Sequence, residues 1–338
     1  METDLAKATR NGDEPVIWAV TDGRAGNSRQ ALALAAAVAR RVGGRAETRT
    51  VALRKPFDLA PPALWALGGA REGGWPFSGL EDRGAGLARP WPAMAVGAGR
   101  RSAPIVAALR RLGGVRAVQV LAPQMRLSAF DRVVAPFHDG LRGENVTETL
   151  GGLNDLDPET LAREAERWRQ RLGHLPRPRV AVLVGGPSAS AAFGAHAVGA
   201  LTEGLARLAV DGAGLMITPS RRTPRGVVDR LAEAVTGFGG WVWGGRGENP
   251  YPAVLGLAEA IAVTADSVNM ASEAASTGKP VLVFAVDRLD AKIARFHDAL
   301  RAHGASRPFE GALDLWRYPP LRETERVAEQ VAGLLAPA

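Results

Sequence analysis

Asp266 and Ser267 set an acid beside a hydroxyl, and a second acid, Glu273, follows within the same short stretch, VTADSVNMASEAASTGKP from Val263 to Pro280. An apolar run beginning at Ala258 leads into that pair. A series of small residues comes next, stopped by Gly278-Lys279-Pro280 before a second apolar run, Val281 to Ala285. The order reads as strand, tight turn, helix, glycine-proline stop and parallel strand. A Ser267 hydroxyl at the cap leaves the other first-turn N–H groups and the positive end of the dipole facing outward, which suits a phosphate. Ala271, Ala274, Ala275 and Ser276 let a large group approach, and Glu273 can point a carboxylate at a sugar hydroxyl.

Similar loops recur along the chain. In TDGRAGNSRQ, Thr21 to Gln30, Gly23 and Gly26 permit close backbone approach, Asn27 or Ser28 can cap the helix that follows, and Asp22 and Arg24 stand at a strand mouth. The spacing matches neither a Walker A loop nor G-x-G-x-x-G. It suits an acceptor-side loop with Asp22 as base. GAGRRSAP, Gly97 to Pro104, repeats the pattern with Arg100-Arg101 and Ser102 as cap, and an anion fits there. His138, in APFHDG beside Asp139, has the neutral-range pKa of a general base and lacks the apolar flanks of a core residue. In the second half, GGPSAS offers Ser188 and Ser190 to an anion. PSRRTP sets Arg221 and Arg222 before a helix, with Thr223 as cap and Pro224 at its first position. Glu248-Asn249-Pro250-Tyr251 makes a rigid turn with hydrogen-bonding edges.

These residues need a scaffold of alternating strands and helices, and the sequence supplies one. Val16–Val20, Val51–Leu53, Ala93–Val96, Ala117–Leu121 and Arg132–Ala135 read as strands, with helices at 31–41 and 105–112. After a charged helix, 158–173, and the punctuation Pro176-Arg177-Pro178, a second series starts with Val180–Val184. That alternation predicts an α/β protein of two doubly wound, Rossmann-like domains facing a cleft, with ligand sites at strand carboxyl ends. The expected divisions are a disordered 1–14, a first domain 15–174, a nucleotide-binding domain 175–320 and a helix 321–338 crossing back to the first.

Composition narrows the chemistry. The 338 residues suit two domains, and 46% hydrophobic with 23% charged residues is a globular balance. No run nears the roughly 20 apolar residues of a membrane span, and the polar start METDLAKATRNGDE lacks a signal core. A cytoplasmic protein is therefore expected. Zero cysteines exclude disulfides and thiolate sites, and five scattered histidines lack metal-ligand spacing, so no metal and no cofactor are expected. The net charge of +7 is carried almost wholly by arginine, which suits phosphates or anionic headgroups at a membrane's inner face. No basic run is interleaved with aromatics, so nucleic acid is not expected as a partner.

Ser272-Glu273-Ala274-Ala275-Ser276-Thr277-Gly278-Lys279-Pro280 resembles the donor segment of GT-B glycosyltransferases, most closely the lipid II-forming N-acetylglucosaminyl transferase. The resemblance implies that Glu273 holds a ribose and that Asp266-Ser267-Val268, with Asn269 beside them, meets a diphosphate. It also implies that Arg221 and Arg222 offset diphosphate charge without a metal, that Ser188 joins the donor site, and that Glu248-Asn249 lies by the base. Across residues 15–335 the chain resembles the bacterial branch of the plant mitochondrial-fission-factor-like family, whose members are regarded as GT-B glycosyltransferases although the eukaryotic ones are discussed as recruitment factors. The expectation is an inverting, metal-independent transferase. It would move sugar from a nucleotide diphosphate to a lipid-linked or envelope-glycan acceptor held by Gly23, Arg24, Gly26, Asn27, Arg100 and Ser102. Asp22 and His138 are its candidate bases. A non-catalytic, membrane-associated recruiter and a sugar-nucleotide 2-epimerase are the alternatives.

Overall fold

The computed structural model describes residues 14–67 and 69–336; the segment expected to be disordered, 1–14, lies outside the described residues except for Glu14. The chain separates into two compact units, one from the described residues of Met1–Asp155 and Arg322–Ala338, the other Leu156–Leu321.

In the first unit, β1 (Val16–Thr21), β2 (Arg45–Thr50), β3 (Met94–Ala98), β4 (Arg116–Val120), β5 (Arg132–Pro136) and β6 (Val146–Thr149) form one sheet in the order β2-β1-β3-β4-β5-β6. Every pairing is parallel. The inner strands are near-continuous apolar runs because helices cover both faces. One apolar layer joins Ile17, Ala19 and Val96 to Leu34 and Val38 of the helix Ala25–Val42; the other joins Trp18, Val20 and Ala95 to Ile105 and Leu109 of the helix Ala103–Gly113. The edge strand β2 is RAETRT, polar and half exposed, so hydrophobic pattern points instead to Val51–Leu53. That expectation is corrected: Leu53 makes only an isolated bridge to Leu80. Strand β6 was likewise hidden by its polar sequence, VTET.

The second unit repeats the plan. Here β7 (Arg179–Val184), β8 (Ala191–Ala192), β9 (Gly214–Pro219), β10 (Trp241–Val242), β11 (Ala260–Thr264), β12 (Val281–Phe284), β13 (Arg288–Leu289) and β14 (Ser306–Pro308) follow in turn. Six of them form a sheet in the order β10-β9-β7-β11-β12-β14, again parallel throughout, while β8 and β13 pair as a small antiparallel ribbon. The two-lobed, doubly wound α/β class read from the sequence is the observed one.

The units divide at Asp155 and Leu156, not near residue 174 as the proline punctuation suggested. The helix Pro158–Leu172 buries Leu161, Ala165, Trp168 and Leu172 on one face, and its Asp157 cap accepts the Thr160 N–H at 2.8 Å. That face lies against the helix Tyr251–Leu257 so closely that a side chain at Gly256 would strike the Leu161 carbonyl and the Ala165 methyl. Packing, not punctuation, assigns the helix. At the other end, Glu323–Ala332 lies on Ala25–Val42 in the first unit, burying Val327, Ala328 and Val331. Arg326 there donates to the Glu148 carbonyl at 2.6 Å, and Thr324 donates to that of Asn154 at 2.8 Å.

Behind the helix Val268–Ser276, Lys279 donates to the carbonyls of Leu255 and Gly256 at 2.5 and 2.7 Å, closing the carboxyl end of Tyr251–Leu257. The Tyr318 hydroxyl in turn faces the Lys279 carbonyl at 2.7 Å. Burial pushes the Lys279 ammonium down to about 8 from 10.5, against a weaker pull from Glu259. Burial pushes the Tyr318 hydroxyl above its ordinary 10.0. Between pH 8 and 10.5 the unfolded chain holds a lysine proton that the folded chain has released, so stability rises with pH across that window. Above pH 10 the unfolded chain loses a tyrosine proton that the folded chain keeps, and stability falls. Thermal unfolding across this range should show Lys279→Met without the rise and Tyr318→Phe without the fall. Parent and Lys279→Met curves that run parallel from pH 8 to 10.5 would rule out this coupling.

Candidate functional site

Each sheet reverses its strand order once, between β1 and β3 in the first unit and between β7 and β11 in the second. In parallel α/β sheets the loops leaving two such strands diverge and open a crevice. Most of the residues singled out by chemistry lie on these four loops.

In the second unit, β11 ends at Thr264, and Ala265-Asp266-Ser267 turns into the helix Val268–Ser276. Asp266 is 5% exposed and fully engaged. One carboxylate oxygen accepts the Thr264 hydroxyl at 2.7 Å; the other accepts the Gly186 N–H at 3.0 Å and Arg222 at 2.8 Å. Arg222 also donates to the Gly186 carbonyl at 2.7 Å, and Thr264 accepts the Gly185 N–H at 2.8 Å. A Cβ at Gly185 would fall on the Asp266 carboxylate, so only glycine permits this approach. Three loops are thus bolted together around one buried acid. Arg222 is committed to that bolt with 40% of its side chain still exposed; its neighbour Arg221 is exposed too but stands outside the bolt.

Ser267 caps the helix by accepting the Met270 N–H at 3.4 Å. The N–H groups of Val268 and Asn269, in the first turn, have no acceptor within the helix itself. Glu273 is buried on the same helix, 4% exposed, and accepts the Tyr251 hydroxyl at 2.5 Å. Asn249 ties its turn to the helix start, accepting the Tyr251 N–H at 3.2 Å, and Glu248 pairs with Arg167 on the exterior. The neighbouring helix, Ala195–Val210, already holds a carboxylate at its end. Asp287 accepts the N–H groups of Gly194 and Ala197, and those bonds hold its carboxyl below the usual range. Ser188 is exposed, and its hydroxyl accepts the Ser190 N–H at 3.2 Å.

Thr264 and His297 escaped sequence reasoning, and so did the partner of Tyr251. Thr264 accepts the N–H of the distant Gly185 besides donating to nearby Asp266, and the Tyr251 hydroxyl reaches Glu273. His297, 6% exposed on the helix Ala291–Ala302, places Nε2 at 2.8 Å from the Ala265 carbonyl and braces the turn from behind. Burial pushes its imidazolium below the ordinary histidine range. The Thr223 cap is corrected: the helix begins at Arg225 with Pro224 as N-cap, and the Thr223 hydroxyl donates instead to the Val184 and Gly185 carbonyls at 2.9 and 2.6 Å.

In the first unit, Asp22, Gly23, Arg24, Gly26 and Asn27 leave β1 beside Arg100 and Ser102, which follow β3. The Asp22 carboxylate is only 3% exposed; it accepts the Arg24 N–H at 3.2 Å and faces that guanidinium at 3.6 Å. The expected caps are corrected here too. The first helix starts at Ala25, which puts Asn27 and Ser28 inside its first turn, and Ser28 pairs with the Thr21 hydroxyl. Ser102 is fully buried and donates back to the carbonyls of Ala98 and Gly99 at 3.0 and 3.1 Å, fastening the loop rather than the helix end. Arg100 is exposed. His138 is corrected as well: it is 4% exposed in the turn Phe137–Asp139, edge-on to Phe137 and 3.8 Å from Asp139. Its strand, β5, lies three places from β1, a separation of about 14 Å at ordinary strand spacing. Asp22 and His138 are therefore not a pair. Among the described residues no group of three or more histidines and carboxylates is placed to hold a metal ion, and no helix is long and apolar enough to cross a membrane.

The model of a family described as Mitochondrial fission ELM1 matches residues 25–335. The mitochondrial fission protein ELM1 of Arabidopsis thaliana is 33% identical over 275 residues, covering 72% of this chain and 64% of that protein. This chain thus spans under two thirds of that relative. The uncharacterized protein RP120 of Rickettsia prowazekii (strain Madrid E) is 26% identical over 361 residues, covering 93% of this chain and 96% of its own. Among solved structures, a UDP-GlcNAc 2-epimerase from Neisseria meningitidis bound to UDP-GlcNAc superposes with a TM-score of 0.53 at 12% identity, covering 95% and 91% of the two chains. At that identity the likeness concerns the fold, which is GT-B.

The bolt around Asp266 generates a stability difference between adjacent arginines. Arg222→Ala leaves a buried carboxylate without its cation and should destabilise the chain by about 1–3 kcal/mol in urea unfolding. Arg221→Ala should change stability by less than about 0.5 kcal/mol. Equal effects of the two would mean that Arg222 does not hold the loop.

Proposed function

The chain belongs to the mitochondrial fission ELM1 family, and on that premise we propose that it binds a nucleotide-diphosphate sugar at the carboxyl edge of its second sheet. The supporting observation is a single juxtaposition. At the strand reversal, the N-terminus of Val268–Ser276 keeps first-turn N–H groups for an anion, and Glu273 lies less than two turns along the same helix. In this reading Asp266 and Ser267 shape the turn, Val268 and Asn269 meet the diphosphate, Glu273 holds the ribose, and Glu248-Asn249 lies by the base. Arg221 offsets diphosphate charge while Arg222 keeps the loops in place, and Ser188 adds a hydroxyl from the loop after β7. Cations and a helix end then do the electrostatic work of a divalent ion.

Three chemistries can follow binding. Inverting, metal-independent transfer to a lipid-linked or envelope-glycan acceptor, at the cytoplasmic face of a membrane, needs one base on the acceptor side. Asp22 leads His138 for that role because its loop stands at the first sheet's reversal, among Gly23, Arg24, Gly26, Asn27, Arg100 and Ser102. Epimerisation of the sugar is supported by the 2-epimerase that shares this fold. Binding without turnover, in a recruiter, is supported by the fission-protein relative and by the enclosure of both base candidates, each under 5% exposed at the side chain. Nucleotide-sugar binding is common to all three and is what the geometry supports best.

Calorimetry with UDP and other nucleoside diphosphates tests the binding reading. Glu273→Ala should lower affinity by about 1.5–3 kcal/mol, the range for a hydrogen bond to a charged group, and a chelator should leave binding unchanged. Equal affinity in parent and variant would remove Glu273 from the site.

A product assay with a nucleotide sugar and crude envelope lipid separates the chemistries. If transfer occurs, Asp22→Asn should lower turnover by about 10²- to 10⁴-fold with donor binding intact, and His138→Ala should do so if that residue is the base instead. Parental rates in both variants would exclude both. A parent that binds nucleotide and yields neither transfer product nor epimer would be a recruiter.

A further inference from the structure

We propose that the carboxyl edge of the first unit's sheet seats on an anionic lipid bilayer, with Leu59 and Leu64 entering the interface and a rim of arginine and lysine meeting the headgroups. This deepens the proposed reading by naming the surface that meets the acceptor's membrane. Vesicle binding without nucleotide tests it apart from donor binding.

Leu59 is 80% exposed and Leu64 54%, the first closing the turn Phe57–Leu59 and the second within the helix Pro62–Leu67. They do not sit on a loose loop. Phe57 packs edge-on against Trp65 and Trp75 with ring centroids 5.9 and 5.3 Å away, and the Trp75 indole donates to the Trp65 carbonyl at 2.6 Å. Both leucines therefore project from a packed aromatic platform. A niche shared by Leu53, Asp58 and Trp65 with Arg100 and Arg101 fixes that platform beside the exit of β3.

Because all six strands run parallel, the loops after β1, β2, β3 and β4 emerge on the same edge as the platform. Those loops expose Arg54 and Lys55 after β2, Arg100 after β3 and Arg126 after β4. Arg54 lies over the Phe57 ring at 5.7 Å, which sets its charge beside the leucines. Of the acids on those loops, Asp22 is 3% exposed at its carboxylate against Arg24, and Asp58 lines the niche with one oxygen buried. Glu72, Glu81 and Asp82, farther along the connection after β2, are exposed; Glu72 pairs with Arg89 at 2.8 Å, Asp82 accepts the N–H groups of Gly84 and Gly86, and Arg71 and Arg83 are exposed on the same connection. The exposed charge is cationic in excess around an apolar platform. Two apolar side chains ringed by cations fit an interface whose outer layer is negative and whose next layer is hydrocarbon. A soluble acidic protein would meet the cations but gives no such layering for the leucines.

Vesicle flotation provides the test, using the full chain with phosphatidylcholine vesicles, phosphatidylcholine–phosphatidylserine vesicles, and both at low and high salt. The parent should float with the anionic vesicles at low salt, far less with neutral ones, and less again at high salt. Paired Leu59→Asp and Leu64→Asp substitutions should lower partitioning about tenfold or more. Each of Arg54→Gln, Lys55→Gln and Arg126→Gln should lower it about fivefold on anionic vesicles alone. The charge variants keep the test decisive if the leucine pair misfolds, and UDP calorimetry on every variant should match the parent. Equal binding to neutral and anionic vesicles, or anionic binding insensitive to both variant sets, would overturn the proposal. Self-association of the parent without vesicles, abolished by the leucine pair, would assign the patch to a second copy instead.

Discussion

A buried carboxylate must find enough partners to offset its lost hydration, and Asp266 does so by drawing in three segments of the second unit. Thr264 comes from the end of its own strand, Gly186 from the loop after β7 and Arg222 from the loop after β9. The acid is fully shielded at its side chain, so the bonds from Thr264 and Gly186 are closed to water, while Arg222 covers it from the solvent side with 40% of its own side chain exposed. The geometry of the turn, and hence the direction of the helix Val268–Ser276, follows from satisfying that one group. His297 adds a second restraint from the other side, through the Ala265 carbonyl. The result is a helix end whose position is fixed before any ligand arrives, which is what preorganised anion binding needs.

Parallel sheets make this arrangement available twice. Strands buried on both faces need long apolar runs, and their crossovers place every helix N-terminus on the carboxyl edge. Which edge positions become crevices is then decided by strand order alone. Both sheets start with a central strand, add neighbours on one side and return to the other, so β1/β3 and β7/β11 are equivalent places. The side chains at those places make the two units chemically different. The second unit's reversal holds a bolted acid and an open helix end, while the first unit's holds Asp22 folded against Arg24, with Arg100 exposed beside it.

Much of this was legible in the sequence where one element alone carried the signal. The apolar runs of the inner strands, the Ser267 cap and the glycine-proline stop after Ser276 depend on neighbours within a few residues, and such patterns survive into the fold. Edge strands were misread because β2 and β6 are polar where solvent or a covering helix meets them. The hydroxyls of Ser102, Thr223 and Ser28 were misread as helix caps for a related reason. Sequence shows that a hydroxyl precedes or opens a helix, but not that a nearer carbonyl or a facing threonine will claim it. His138 was taken for an open loop residue, yet its side chain is 4% exposed, with the Phe137 ring edge-on and the Asp139 carboxylate 3.8 Å away. The bonds of Tyr251 to Glu273, of Thr264 to Gly185 and of His297 to the Ala265 carbonyl span many residues, which no local pattern encodes.

One such long-range contact decides where negative charge can bind in the second unit. Two helices begin near its strand reversal, Ala195–Val210 after β7 and Val268–Ser276 after β11, and both present a positive dipole end. Asp287 fills the first from the ribbon side, accepting the N–H groups of Gly194 and Ala197 and carrying its own charge there. Ser267 fills only one bond of the second and brings no charge. A diphosphate approaching the first end would meet a carboxylate already seated, whereas the second end offers dipole and N–H groups together. Asp287 therefore directs an anion to the helix that carries Glu273, while Asp266 engages Arg222 and leaves Arg221 exposed on the same loop. Selection among equivalent helix ends, more than the presence of any one motif, is what makes this edge of the sheet a single site.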